Sequence, residues 1–184
     1  KKTDKLAKIL NIDELFIQNE LKKTGATGRY LPIITGCNNF CSYCAVPYTR
    51  GREESKPLPE IIDQFKKIIA SGQKEIILLG QNVNSYQYQD KNGAVTNFAQ
   101  LLSILNKVAG EFTISFLSSH PKDMTDDIIK AVATLKKVKK SIHLPLQSGS
   151  DKILKLMNRP YTKEQYLKII EKIKKSSPKI KIST

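Results

Sequence analysis

The sequence predicts an α/β fold of about five βα units, a parallel sheet or a barrel segment, and three observations carry that expectation. Strand-like and helix-like hydrophobic patterns alternate five times between residues 31 and 184. One strand pattern, Glu75–Gly80, is an unbroken apolar run (EIILLG), as in a strand buried on both faces. Polar loops marked by Gly or Pro follow four of the strands, and parallel α/β folds build ligand sites there.

The elements follow in order. Residues 1–28 are polar, with short apolar patterns at Leu6, Ile9, Leu10 and at Leu15, Phe16, Ile17, and read as a linker arm before a core domain over 29–184. Leu31–Thr35 forms a first strand leading into Cys37. Pro59 opens a helix with Ile61, Ile62, Phe65, Ile68 and Ile69 on one face, and Gly72 closes it. Glu75–Gly80 is the second strand. Asn97 with Gln100 is a capping signature for a helix carrying Phe98, Leu101, Leu102, Leu105 and Val108, stopped by Gly110. Phe112–Leu117 is the third strand, and Thr125 caps a helix using Ile128, Ile129, Val132 and Leu135. Ser141–Leu146 is the fourth strand and Ser150–Met157 a short helix. Thr162 and Gln165 box the helix that runs to Lys175, and Lys179–Ser183 alternates as a fifth strand.

Composition narrows the class. The chain has 184 residues, 40% of them hydrophobic, enough for one domain with its own core and too apolar for disorder. No apolar run approaches the ~20 residues of a membrane span, and no signal-peptide pattern stands at the start, so a cytoplasmic protein is expected. Net charge is +14, and it is lopsided. Residues 1–129 hold 16 basic and 14 acidic side chains, whereas 130–184 hold 15 basic and only Asp151, Glu164 and Glu171. A nucleic-acid partner is one reading of that surplus. The other is composition: 27 of the 31 basic residues are Lys, which dress solvated helix faces.

All three cysteines, Cys37, Cys41 and Cys44, fall within eight residues. The number is odd and the loops between them are tiny, which argues against disulfides and for a metal site. Structural zinc takes four ligands, and His120 and His143 lie in distant βα units. Iron–sulfur cubanes are held by thiolates, commonly four. Three would leave one iron open to an exogenous ligand.

The Cys-x₃-Cys-x₂-Cys loop after the first strand, with Tyr43 before the last Cys, is similar to that of the radical S-adenosylmethionine superfamily. TGCNNFCSYCAVPYTRGREESKP (35–57), KEIILLGQNVNSY (74–86), SSHPKDMTDDII (118–129) and HLPLQSGSDKILKLMNRPYT (143–162) resemble its methylthiotransferase branch. The likeness is strongest to members that modify dimethylallyladenosine in bacterial tRNA, and it covers about residues 29–184.

The resemblance implies an incomplete parallel β/α barrel of the radical SAM type. It implies a 4Fe–4S cluster on Cys37, Cys41 and Cys44 whose fourth iron chelates S-adenosyl-L-methionine. Reductive cleavage then yields a 5′-deoxyadenosyl radical, which takes hydrogen from C2 of an adenine beside the tRNA anticodon. A second cluster supplies sulfur and a second S-adenosylmethionine the methyl group. The partners implied are tRNA, at its anticodon-loop adenosine, and an electron donor such as flavodoxin or ferredoxin. Tyr43 matches the aromatic position near the cofactor adenine. Gly80, Gln81 and Asn82 stand where a second-strand motif contacts the methionyl amine, and Ser119 and Gln147 are ribose or methionyl candidates. Arg50 and Arg52 suit a cofactor carboxylate or an RNA phosphate.

Two sister activities compete, on threonylcarbamoyladenosine in tRNA and on a ribosomal-protein aspartate. Gln81–Tyr86 and Ser119–Pro121 favour the dimethylallyladenosine substrate. A basic RNA-binding module with a structural metal is the reading from another class, and the missing fourth ligand speaks against it. The chain is expected to be the catalytic centre of a longer enzyme. The second-cluster domain, the RNA-binding domain and the last barrel strands would lie outside it, so that it cleaves S-adenosylmethionine without completing methylthiolation. The fifth strand would then present an unpaired edge.

Overall fold

The computed structural model describes residues 28–184, so nearly all of the linker reading lies outside the described residues. Three parallel strands form one sheet in the order β1 (Tyr30–Pro32), β4 (Glu75–Leu79), β7 (Thr113–Phe116). Ile77 faces Tyr30 on one side and Ser115 on the other. β4 is therefore flanked on both edges, and its Ile76, Ile77 and Leu78 are buried, as the unbroken apolar run requires. β8 (Ser141–His143) pairs in parallel with β9 (Lys181–Ser183). The two groups meet where Ile114 bridges Val138 in parallel. The result is an open arc of β/α barrel.

The helices, in chain order, are α1 (Val46–Thr49), α2 (Leu58–Ala70), α3 (Phe98–Asn106), α4 (Asp126–Thr134), α5 (Asp151–Leu156) and α6 (Lys163–Ser176). The predicted capping boxes form at Asn97–Gln100 and Thr162–Gln165, and the Thr125 hydroxyl accepts from the Ile128 N–H. α2 sets Ile61 and Phe65 fully into the core, where Phe65 meets Phe112 edge to face at 5.2 Å. Such a ring pair contributes about 1 kcal/mol beyond its burial.

Two predicted strands change. Leu31–Thr35 divides at Ile33: β1 joins the parallel sheet, while β2 (Ile34–Thr35) turns away to pair antiparallel with β3 (Glu54–Ser55). The fourth strand ends at His143, before Pro145. A hairpin, β5 (Gln87–Gln89) with β6 (Val95–Asn97), was not foreseen. Its strands are polar and half exposed, so hydrophobic alternation gives no signal. The Asp90 carboxylate, accepting from Asn92 and Ala94 N–H groups, shapes its turn. Among the described residues no helix is long and apolar enough to cross a membrane.

Candidate active site

The β2–β3 pairing pinches a loop shut at its base, and that loop carries all three cysteines. The Cys37 N–H donates to the Gly51 carbonyl (3.2 Å), and the Glu53 N–H donates to the Asn38 side-chain oxygen (3.2 Å). Gly36 makes the closure possible. Its φ is +69°, and a Cβ there would stand 2.0 Å from the Arg52 carbonyl oxygen, so no side chain fits. Within the loop the Cys44 N–H donates to the Cys41 carbonyl (2.9 Å), and Asn39 Nδ2 donates to Cys37 Sγ (3.3 Å). Cys37 is buried, Cys41 and Cys44 are half-buried, and all three are free thiols. Burial raises the Cys41 thiol, Arg159 opposes this, and Cys37 and Cys44 push it further up. The three sulfurs sit close enough to feel one another.

The same rim holds most of the fold's unpaired polar atoms. Gln81 Oε1, Asn82 Oδ1, Ser119 Oγ, His120 Nε2 and Arg159 Nε are buried without a hydrogen-bond partner among the described residues. All lie beyond the carboxyl ends of strands or beside the cysteine loop; only Arg29 Nε lies elsewhere. Left unmade, each such bond costs about 1–3 kcal/mol. A polar ligand seated here would recover that loss. Among the described residues, left-handed backbone at non-glycine positions falls on this rim as well: Phe40, Ser118, Gln147 and Asn158. Such conformations persist only where the surroundings impose them, and they cluster at functional sites.

The predicted residues divide. Asn82 and Ser119 are buried on the rim, and Gln81 is half-buried beside them. Asn82 Nδ2 donates to Asp123 (2.7 Å), which leaves its oxygen free to accept. Gly80 has a packing reason of its own, since a Cβ would strike Ile34 Cγ2 at 2.0 Å. Tyr43 is 54% exposed, and its hydroxyl bonds the Arg159 guanidinium. Arg50 and Arg52 are exposed, with Arg52 stacked on the Phe40 ring at 4.4 Å. Gln147 is exposed at the β8 end of the arc.

Three residues escaped the sequence reading. His120, in a βα unit distant in sequence from the cysteines, is only half satisfied. Its Nδ1 accepts from the Lys122 N–H (3.2 Å), which places the proton on the unpaired Nε2. Burial, with Arg159 and Lys122 adding to it, pushes its pKa down to about 3, so the ring is a neutral donor. Asn84 holds it there: its side-chain amide accepts from the His120 N–H (2.8 Å) and donates to the His120 carbonyl (3.0 Å). Arg159 acts electrostatically on Cys41, His120 and Tyr161 at once. The quoted segment 143–162 contains it, but no local pattern places residue 159 beside residue 43.

Several lysines of the basic C-terminal third lie away from the site. Lys137 and Lys140 precede β8, at the opposite end of the strands from the cysteines. Lys140 Nζ donates to the Val132 and Leu135 carbonyls (2.6 and 2.7 Å), and Lys137 Nζ to that of Val108. Lys174 Nζ donates to the Ile180 carbonyl (3.0 Å). These lysines cap chain carbonyls, which accounts for part of the charge surplus without any anionic partner.

The donor set fits a cluster and a polar cofactor: three thiols on one closed loop, beside five buried polar atoms lacking partners. Among the described residues no three His, Cys, Asp or Glu side chains converge on a single ion. One zinc with bonds of about 2.3 Å would need such convergence. Thiolates that each bind a different iron of a cubane do not.

Residues 31–184 match the family model of the Radical SAM superfamily, and the chain belongs to that family. Among curated proteins it is similar to the tRNA-2-methylthio-N(6)-dimethylallyladenosine synthase of Fusobacterium nucleatum, 52% identical over 153 residues, covering 83% of this chain and 35% of that protein. The protein of the same name from Clostridium botulinum (strain Okra) is 48% identical over 185 residues, 100% of this chain and 41% of its own length. That from Thermoanaerobacter pseudethanolicus is 51% identical over 164 residues, 89% and 34%. The chain thus spans well under half the length of these relatives. Two solved structures share the fold. One is the cobalamin-dependent S-adenosylmethionine radical enzyme OxsB with aqua-cobalamin and S-adenosylmethionine bound (TM-score 0.64, 16% identity, 83% of this chain and 22% of that one). The other is the radical S-adenosylmethionine methyltransferase TsrM from Kitasatospora setae, with cobalamin and a 4Fe–4S cluster bound (TM-score 0.61, 12% identity, 84% and 29%).

Proposed function

We propose that this chain is the radical-generating core, residues 29–184, of a cytoplasmic tRNA methylthiotransferase acting on dimethylallyladenosine beside the anticodon. One observation carries the reading: a pinched loop presents three thiols to a rim where five buried polar atoms have no partner among the described residues. Cys37, Cys41 and Cys44 would hold a 4Fe–4S cluster. When bound, the cluster and S-adenosyl-L-methionine supply one-electron cleavage of the sulfonium.

The chain's own residues bind and orient. Asn82 Oδ1 accepts, the neutral His120 Nε2–H donates, and Ser119 Oγ does either, which suits an ammonium, a carboxylate and a ribose. Gln81 and the backbone at Gly80 extend that row. Tyr43 and Gln147 flank it from more exposed positions and meet the cofactor only if it reaches the outer rim. Arg50 and Arg52, exposed on the cysteine loop, would hold a cofactor carboxylate or an RNA phosphate. The tRNA substrate is supported by the names of the relatives. A flavodoxin or ferredoxin would deliver the electron.

Anaerobic reconstitution tests this. About four irons and four sulfides per chain and reductant-dependent release of 5′-deoxyadenosine are expected. Zinc in place of iron, with no cleavage, would sink it in favour of a structural metal.

A further inference from the structure

We infer that Asn158, at the end of α5, is a positioning residue for the cysteine loop, clamping it from across the molecule. The inference rests on reading Cys37, Cys41 and Cys44 as cluster ligands.

α5 ends in a complete Schellman motif. The Asn158 N–H donates to the Lys155 carbonyl (3.1 Å), the Arg159 N–H donates to that of Leu154 (2.8 Å), and Asn158 takes the left-handed conformation at φ +55°. Glycine is the residue that position ordinarily favours, because it carries no Cβ penalty. Here the side chain has a use. Asn158 Nδ2 donates to the Phe40 carbonyl (2.8 Å) and the Asn39 carbonyl (3.4 Å), both inside the cysteine loop. Phe40 is itself left-handed at φ +46°, immediately before Cys41, so the bonded carbonyl precedes a thiol by one peptide.

The loop answers in kind. The Ser42 N–H donates to the Met157 carbonyl (3.2 Å) and the Ser42 hydroxyl to the Leu156 carbonyl (2.9 Å). Two carbonyls at the end of α5, which a free helix would leave to water, are satisfied by the residue after Cys41. Arg159 completes the contact by reaching the Tyr43 hydroxyl. Residues 40, 42 and 43 are thus fixed by residues more than a hundred positions away, and Cys41 and Cys44 are held within that frame. A cluster bound by only three thiolates depends on where the loop places them.

Asn158→Gly separates the two roles of this residue, since glycine keeps the helix stop and deletes the clamp. In the metal-free chain glycine's ease at φ +55° offsets the lost hydrogen bonds, so the variant's melting temperature should stay within about 2 °C of wild type. In the reconstituted chain, iron release to excess EDTA should quicken about tenfold, matching the loss of two modest hydrogen bonds. The reduction potential of the cluster should shift as well. Asn158→Asp should release iron faster still, because a carboxylate would face two carbonyls. A helix-ending role alone predicts the reverse, with glycine equal to or better than asparagine in every measurement. Iron taken up by wild type, with release and potential unchanged in both variants, overturns the inference. If wild type takes up no iron, the ligand reading falls and the inference with it.

Discussion

The two ends of the strand arc are built from similar backbone and differ in how their polar groups are settled. At the amino end, Lys137, Lys140 and Lys174 reach chain carbonyls, and Glu75 pairs with Lys139 at 2.9 Å. At the carboxyl end, five buried polar atoms have no partner among the described residues and four non-glycine residues hold left-handed backbone. Among the described residues one buried polar atom, Arg29 Nε, goes unpaired at the amino end against five at the carboxyl end, so the carboxyl end is the one left open to a ligand. The charge surplus is a poor guide to the site, since much of it sits at the amino end.

The contrast can be broken or sharpened by substitution. The largest effect is expected from Cys44→Ser, which should abolish stable iron uptake and reduce S-adenosylmethionine cleavage to background, as iron analysis and product chromatography would report. A fully loaded serine variant would remove the rim's claim to be the site.

Gly36→Ala comes next. Its +69° φ and the carbonyl 2.0 Å from the added Cβ predict a loss of about 3 kcal/mol in urea unfolding, together with falling iron content, because the loop could no longer close. Unaltered stability would show that the pinch is slack.

His120 gives a smaller, pH-dependent signal. Its ordinary pKa of 6.5 falls to about 3 on folding, so the unfolded chain binds the extra proton between those values. Stability should therefore drop as pH falls from about 6.5 toward 3, by up to about 1.4 kcal/mol per unit, or about 2 kcal/mol at pH 5. His120→Asn should flatten that slope relative to wild type; parallel slopes would mean that the imidazole protonates freely in the native state.

Lys140→Ala should cost only about 1 kcal/mol, through the two carbonyls it caps, and leave iron uptake untouched. Any loss of cluster in this variant would join the two ends that the structure separates.

Much of this was legible beforehand. The run EIILL, the paired caps at Asn97–Gln100 and Thr162–Gln165, and the alternation of periods are local signals, and each element formed within a few residues of its expected place. The break at Ile33 was not legible, because β1 and β2 share one apolar pattern and part only by choosing different partners. The hairpin at 87–97 was hidden by its polarity. In the site, Cys37, Cys41 and Cys44 announced themselves by spacing, and Asn82 and Ser119 by following strands. His120, Asn84, Asn158 and Arg159 did not, since their roles depend on contacts spanning 36 to 119 residues.

The sequence by itself determined the class of fold and the thiol chemistry, because hydrophobic period, capping and cysteine spacing act between residues a few positions apart. Only the tertiary structure decided which polar groups go unpaired, which lysines are spent on carbonyls and what clamps the cysteine loop. Those outcomes depend on which distant segments desolvate one another, and no short-range pattern in the chain encodes that.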